Sequence, residues 1–348
     1  MSVVSPSFPV RRIVVKCVNW VGDTILATPT IRALRRRFPG AQITVIARPW
    51  VAPLLRTNPD VDAVWEENER GHRRDFARLV ARMRAAQFDL GLALPNSFAA
   101  ALLLRVGRVR RRIGYARDGR SFLLTDPVPV RPQWLRDHEV RYYLNLLSAF
   151  GDVPEPPPLV LEENEQARDR VADRLEAEGA PRDAPLVGVN PGAFYGTAKR
   201  WASDRFAVVG RRLAQALGGI LVVVGTEQER PTAQEVCDVA GEGTLNLAGR
   251  VSLIELVSLI KRMAIFVTND SGAMHVAAVV GVPIVAIFGS TDWVTTPPWS
   301  DQAIVVRRDT ACAPCLLRHC PIDHRCMERV HVADVVEAIR RRWPEIGL

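Results

Sequence analysis

Short runs of aliphatic and β-branched residues alternate along this chain with stretches in which apolar residues recur every three or four positions. These are the periods of buried strand and amphipathic helix. The run Arg12–Val18 is followed by a polar turn, Asn19 to Thr24, and then by a helical pattern that closes at Pro39-Gly40. Strands at 43–48, 61–66 and 88–94, with helices at 51–57 and 75–86, continue the alternation. It resumes with helix 165–178, strand 185–190, helix 204–217, strand 219–225, helices 227–240 and 252–263, and an amphipathic helix near the end at 331–343. Such alternation predicts parallel sheets covered by helices on both faces. Between the two series, residues 154–158 hold four prolines in five positions, a stiff extended linker. With 348 residues, more than one core of ~250–300 usually holds, two doubly wound α/β domains are expected. Their expected bounds are 1–155 and 156–330, with the segment at about 331–348 a candidate to pack back on the first.

The stretch Phe266–Asp292 concentrates the chemistry. A strand, IFVT, stops at Asn269-Asp270-Ser271-Gly272, residues that favour turns and helix N-caps, so a helix should begin near Ser271. Its first turn leaves backbone N–H groups unpaired at the positive end of a helix dipole, and Gly272 lets a ligand approach closely. Phosphate suits such a place, and His275 lies one turn in. The helix should end at Gly281, and Pro283–Gly289 reads as the next buried strand, so the site falls at the carboxyl edge of a parallel sheet. The competing reading is that Asp270 only caps and His275 only packs.

Charge is unevenly placed. Residues 1–155 carry 25 Lys+Arg against 14 Asp+Glu, and residues 156–348 carry 21 against 24, which together give the net +8. Seven arginines fall between Arg105 and Arg120, including Arg110, Arg111 and Arg112, a density suited to phosphates, carboxylates or an anionic membrane surface, or to a solvated basic face. No nucleic-acid motif accompanies them. Only three of the 46 basic residues are lysines, so Lys199 in a polar loop is a candidate point contact to phosphate. The turn after the first strand lacks G-x-G-x-x-G, which argues against a dinucleotide there, and instead presents Asp23. No run reaches the ~18 apolar residues of a membrane span, and no signal peptide is visible, so a cytoplasmic protein is expected.

Trp20-Val21-Gly22-Asp23, Asn190-Pro191-Gly192-Ala193 with Gly196-Thr197-Ala198-Lys199-Arg200-Trp201, Asn269 to His275, and Phe288-Gly289-Ser290-Thr291 together resemble the ADP-heptose:lipopolysaccharide heptosyltransferases of glycosyltransferase family 9. They resemble heptosyltransferase II more than heptosyltransferase I. The resemblance covers nearly the whole chain and implies a GT-B fold, two Rossmann-like domains facing a central cleft. It further implies inverting transfer of L-glycero-D-manno-heptose from ADP-heptose to the anionic inner core of lipopolysaccharide, with no cofactor for catalysis. On this resemblance Asp23 is the general base. Lys199, the N–H groups near Ser271 and Gly272, and His275 hold the diphosphate; Asp270 grips sugar hydroxyls; Glu229, or the nearby Glu227, takes the ribose. Arg110, Arg111 and Arg112 are assigned to the acceptor, with peripheral contact at the cytoplasmic face of the inner membrane and no nucleic-acid partner. The alternatives are a GT-B transferase using another nucleotide sugar and a non-catalytic nucleotide-binding regulator.

One feature stands outside that pattern. Cys312, Cys315, Cys320 and Cys326 put four of the six cysteines into fifteen residues, with His319 and His324 between them. Cytoplasmic thiols stay reduced, so a structural metal is expected, zinc first, with an iron–sulfur cluster or free thiols as alternatives.

Overall fold

The computed structural model describes residues 8–68 and 73–348. The chain forms two compact units, Met1–Glu162 and Glu163–Leu348. The boundary lies beyond the expected 155 because the proline-rich stretch stays on the first unit, where Glu162 N donates to Thr57 O at 3.2 Å.

In the first unit the elements run β1 (Arg12–Lys16), α1 (Val21–Arg37), β2 (Gln42–Ala47), α2 (Ala52–Arg56), β3 (Ala63–Glu66), α3 (Arg73–Ala86), β4 (Leu90–Ala93), α4 (Phe98–Val106), β5 (Arg111–Tyr115), β6 (Asp126–Val128) and α5 (Glu139–Leu144). All six strands are parallel in the order β3-β2-β1-β4-β5-β6. β1 is central: Ile13 sits between Ile43 and Leu90, all three without solvent exposure. The order in which strands are added reverses between β1 and β4, and a crevice at the carboxyl ends of such a strand pair is where doubly wound folds bind ligands.

α1 starts at Val21, four residues before the apolar pattern suggests, and runs through Pro29. A proline there removes the N–H that would bond the Ile25 carbonyl. The Thr28 hydroxyl donates to that carbonyl at 2.7 Å instead, so the helix continues with its acceptor satisfied.

The second unit runs α6 (Glu165–Ala177), β7 (Leu186–Asn190), α7 (Ser203–Leu217), β8 (Ile220–Val223), α8 (Arg230–Ala240), β9 (Thr244–Asn246), α9 (Leu253–Lys261), β10 (Met263–Asn269), α10 (Gly272–Val280), β11 (Ile284–Ile287), β12 (Ala303–Val306), α11 (Arg325–Glu328) and α12 (Val332–Arg342). The order β12-β11-β10-β7-β8-β9 is again all parallel and repeats the first unit's winding, with β7 and β10 in the places of β1 and β4. α12 packs into this unit: Val335, Ile339 and Trp343 join Trp201, Phe206 and Val330 in its core. The closing helix, expected as a candidate to pack on the first unit, thus buries its apolar face in the core of the second.

Candidate active site

The carboxyl ends of β7 and β10 carry the polar turns of the second unit. Ser271 caps α10, its hydroxyl accepting from Met274 N at 3.3 Å, and Gly272 is the first helical residue. Asn190 Nδ2 donates to Ser271 Oγ at 3.0 Å and fixes the cap from the neighbouring strand. Asn269 is fully buried. Its Oδ1 accepts from Trp201 N at 3.0 Å, and its Nδ2 donates to Pro191 O at 2.8 Å and Gly192 O at 3.3 Å. One side chain thus ties the ends of β7 and β10 to the loop that carries Lys199. The α10 N-terminus, with its exposed dipole end and unpaired N–H groups, is held by side chains that cannot easily shift.

Lys199 closes a short 3₁₀ turn, Thr197–Lys199, and its ammonium pairs with Asp270 Oδ2 at 2.7 Å. Asp270 is 6% exposed and lies between β10 and α10, so the pair sets Lys199 beside the helix N-terminus. The ammonium also stands 5.0 Å from the Tyr195 ring centroid. His275 is buried one turn inside α10. The structure therefore brings Lys199, Asp270, Ser271, Gly272 and His275 to one sheet edge, and couples Lys199 to Asp270, which sequence treated as separate.

Glu229, expected at the ribose, also has a capping role. It is 7% exposed, and its Oε2 accepts from Thr226 N at 2.8 Å and Thr226 Oγ1 at 2.9 Å, a capping box before α8. The carboxylate also abuts Gly192; a Cβ there would meet Oε1 at 2.3 Å. Glu227 is exposed, with Arg230 Nη1 at 4.0 Å.

In the first unit Asp23 lies at the third position of α1, behind an N-cap at Trp20, so it is not the capping residue. α1 packs on α5, and Glu139 in the first turn of α5 belongs to the same polar cluster. Burial and then the charge of Asp23 push the Glu139 carboxyl up to about 7, while a hydrogen bond from Tyr143 works the other way. Tyr143 is itself buried and its phenol is driven well above the usual range by burial and by Asp23 and Glu139. Cys17 joins at 3.8 Å from Thr24 Oγ1, its thiol raised to about 11, chiefly by burial. Asp23, in the first turn of the helix that follows the first strand, and Glu139, close enough to feel its charge, are carboxyl groups that can accept and hold a proton. Sequence carries no sign of Glu139, which meets Asp23 only through helix packing.

Residues 76–325 match the model of glycosyltransferase family 9 (heptosyltransferase). The chain belongs to this family. It is 33% identical to the lipopolysaccharide heptosyltransferase 2 of Salmonella typhimurium over 307 residues, covering 83% of this chain and 86% of the relative. Its fold superposes on the solved E. coli ADP-heptose lps heptosyltransferase II with a TM-score of 0.82 at 28% identity, over 97% of this chain and 100% of that one. A family 9 structure from Veillonella parvula gives a TM-score of 0.85 at 23% identity, over 98% and 100%. The expected GT-B class and the resemblance to heptosyltransferase II are both borne out.

Two expectations about this heptosyltransferase need correction. Of the three arginines assigned to an acceptor, Arg111 and Arg112 have internal duties. Arg111 is 7% exposed on β5, paired with Asp126 Oδ1 at 2.8 Å, bonded to Ala149 O at 2.8 Å and stacked over Phe150. Arg112 donates to Leu123 O at 2.8 Å and Val109 O at 2.6 Å. Only Arg110 remains exposed, its guanidinium 3.8 Å from the Phe8 ring centroid. Arg120, part of the same run, is wholly buried and bonded to Tyr115 O, Pro95 O, Ser97 O and Asn96 Oδ1. Of the seven arginines in the run, Arg105, Arg108, Arg110 and Arg117 are exposed, whereas Arg111, Arg112 and Arg120 tie the fold together, a division that composition does not reveal.

The second correction concerns the cysteines of this family member. All four are free thiols, and among the described residues no group of three or more His, Cys, Asp or Glu side chains is arranged to hold a metal ion. Cys326 is 4% exposed in the apolar core beside Met327, whereas Cys312 is at the surface. The two histidines of the segment face elsewhere: His319 Nδ1 lies 3.1 Å from Thr197 Oγ1 and His324 Nε2 2.9 Å from Ala198 O. The expected zinc therefore has no ligand set here.

Proposed function

We propose that this heptosyltransferase moves L-glycero-D-manno-heptose from ADP-heptose to the inner core of lipopolysaccharide, inverting the anomeric carbon and using no metal. The donor and acceptor classes come from the names of the relatives, which describe heptosyltransferase II enzymes. The observation that carries the reading is the α10 N-terminus with Lys199 held beside it by Asp270. A helix N-terminus and an adjacent ammonium suit a diphosphate in the ground state, and suit it better as the leaving group gains charge. His275 adds a donor from one turn further in. Asp270, already gripping Lys199, offers its other oxygen to heptose hydroxyls. The Glu229 role narrows to Oε1, since Oε2 is committed to Thr226.

Asp23 is assigned as the base that takes the acceptor proton during attack, with Glu139 beside it. The exposed Arg110 is the remaining cation of its triplet for the acceptor's anionic groups. The acceptor is a lipid-borne glycan, so the enzyme would work at the cytoplasmic face of the inner membrane in peripheral contact. No helix among the described residues is long and apolar enough to cross a membrane.

Replacing Asp23 by Asn keeps size and polarity but removes the proton acceptor. General-base catalysis is typically worth ~10² to 10⁴ in rate, so kcat should fall at least about a hundredfold while ADP affinity and melting temperature hold. Product mass from ADP-heptose and a truncated core acceptor identifies the reaction. Near-normal kcat in Asp23→Asn would remove the base assignment, and failure to form the heptosylated product would remove the substrate assignment.

A further inference from the structure

The segment from Cys312 to Cys326 has no part in the reading above, yet most of its hydrogen bonds to distant parts of the chain fall on the loop that carries Lys199. Ala198 N donates to Arg318 O at 3.0 Å, and Tyr195 Oη donates to Leu316 O at 3.0 Å. His319 and His324 contact Thr197 and the Ala198 carbonyl, as described. Gly196 lets the two backbones touch; a Cβ there would sit 2.1 Å from Arg318 O. A second anchor ties the segment to the turn after β11, where Leu316 N donates to Ser290 O at 2.8 Å. These contacts fix the register of Arg318 against Lys199.

The register has an electrostatic result. The Arg318 guanidinium carbon lies 5.0 Å from the Tyr195 ring centroid, and so does the Lys199 ammonium. Two cations thus share one ring, no further apart than twice that distance. Lys199 is partly neutralised by Asp270, but among the described residues Arg318 forms no ion pair. It is exposed, so its charge is available to a ligand. An ammonium held beside a helix N-terminus by a carboxylate, with a guanidinium that has no ion pair among the described residues across the Tyr195 ring from it or on the same face, is an arrangement that an anion of two or more charges would complete.

We propose that the Cys312–Cys326 segment is the outer wall of the donor-phosphate site and that Arg318 is a second cation binding the donor's diphosphate, alongside Lys199. This rests on the assignment of the diphosphate to the Lys199 edge. A planar guanidinium can take two phosphate oxygens at once, which the single ammonium, shared with Asp270, cannot. As the bond to the sugar breaks, the added charge on the departing ADP is then divided between two cations.

The test compares binding of ADP and of adenosine, by calorimetry for ADP and by displacement of ADP for adenosine, in the full chain and in Lys199→Ala, Arg318→Gln and Arg318→Lys. Arg318→Gln should weaken ADP about tenfold, the usual size of a charge-assisted contact, and leave adenosine unchanged. Arg318→Lys should recover part of the loss, and the gap between the Arg318→Gln variant and the natural protein should shrink as salt rises. Loss of ADP binding in Lys199→Ala but not in Arg318→Gln overturns the role of Arg318 and leaves the diphosphate assignment standing. Unchanged ADP binding in both overturns the diphosphate assignment itself. Equal weakening of ADP and adenosine by Arg318→Gln reduces Arg318 to a support for the loop and also overturns the proposal.

Discussion

Glu139→Gln isolates the cost of a second carboxylate next to Asp23. The Glu139 carboxyl is raised from 4.5 to about 7, first by burial and second by the charge of Asp23. A group whose charged form is disfavoured in the fold keeps its proton when the unfolded chain has already lost it. Between pH 4.5 and 7 the native state therefore binds more protons, and stability falls as pH rises. Below that window both states are neutral and nothing is lost; above it the full penalty applies. At ~1.4 kcal/mol per pH unit the ceiling is on the order of 3 kcal/mol, less whatever solvent at this half-buried position screens. Gln keeps the shape and can still accept from Tyr143, but has no charge to desolvate. The variant should therefore be more stable than the natural protein at pH 8, by up to about 3 kcal/mol, and indistinguishable near pH 4.5. In a unit of this size each kcal/mol moves the melting point by roughly 2–4 °C, so calorimetry at the two pH values resolves the difference. Because part of the shift comes from Asp23, the gain at pH 8 should be smaller in an Asp23→Asn background. A gain of the same size at both pH values, or a loss at pH 8, would refute the reasoning.

Further predictions follow from side chains whose placement departs from their appearance in sequence. Arg111→Ala should destabilise the first unit by ~2–4 kcal/mol in urea unfolding, since it strands Asp126 and empties the face of Phe150, whereas Arg110→Ala should leave stability within about 0.5 kcal/mol and alter only acceptor KM. Thr28→Val should cost about 1 kcal/mol by depriving the Ile25 carbonyl of its donor, which a pH-independent drop in melting temperature would register. Gly192→Ala should displace the Glu229 carboxylate and weaken ADP binding, with unchanged affinity showing that this carboxylate is remote from the nucleotide.

The fold was legible wherever both periods were strong. RIVVKCV, PLVGVN and PIVAIFG are buried parallel strands as their aliphatic runs suggest, and Gly281, at φ +78°, ends α10 where its glycine predicts. The elements at 98–144, 244–246 and 303–306 were missed: α4 is almost uniformly apolar, β6 contains Pro127, and β9 and β12 are short sheet edges, so these show no clean period. At the candidate site, the turn residues and the lysine singled out for their unusual local chemistry lie together at one sheet edge. Glu139 and Arg318 were invisible, since each acquires its neighbour from a distant part of the chain. The arginine run misled only in part, at Arg111, Arg112 and Arg120, because guanidiniums that bind carbonyls inside a protein cannot be told by composition from those that face water.

The Asn269 side chain also bears on the order in which the protein can mature. β7, β8 and β9 can associate as soon as they leave the ribosome, but the loops at 191–192 and 201 find their shared partner only when residue 269 has been made. Until β10 docks against β7, the nascent second unit has a partial sheet whose carboxyl edge is untethered. A chain stopped short of β10 therefore lacks both the α10 N-terminus and the side chain that ties the Lys199 loop to the sheet edge.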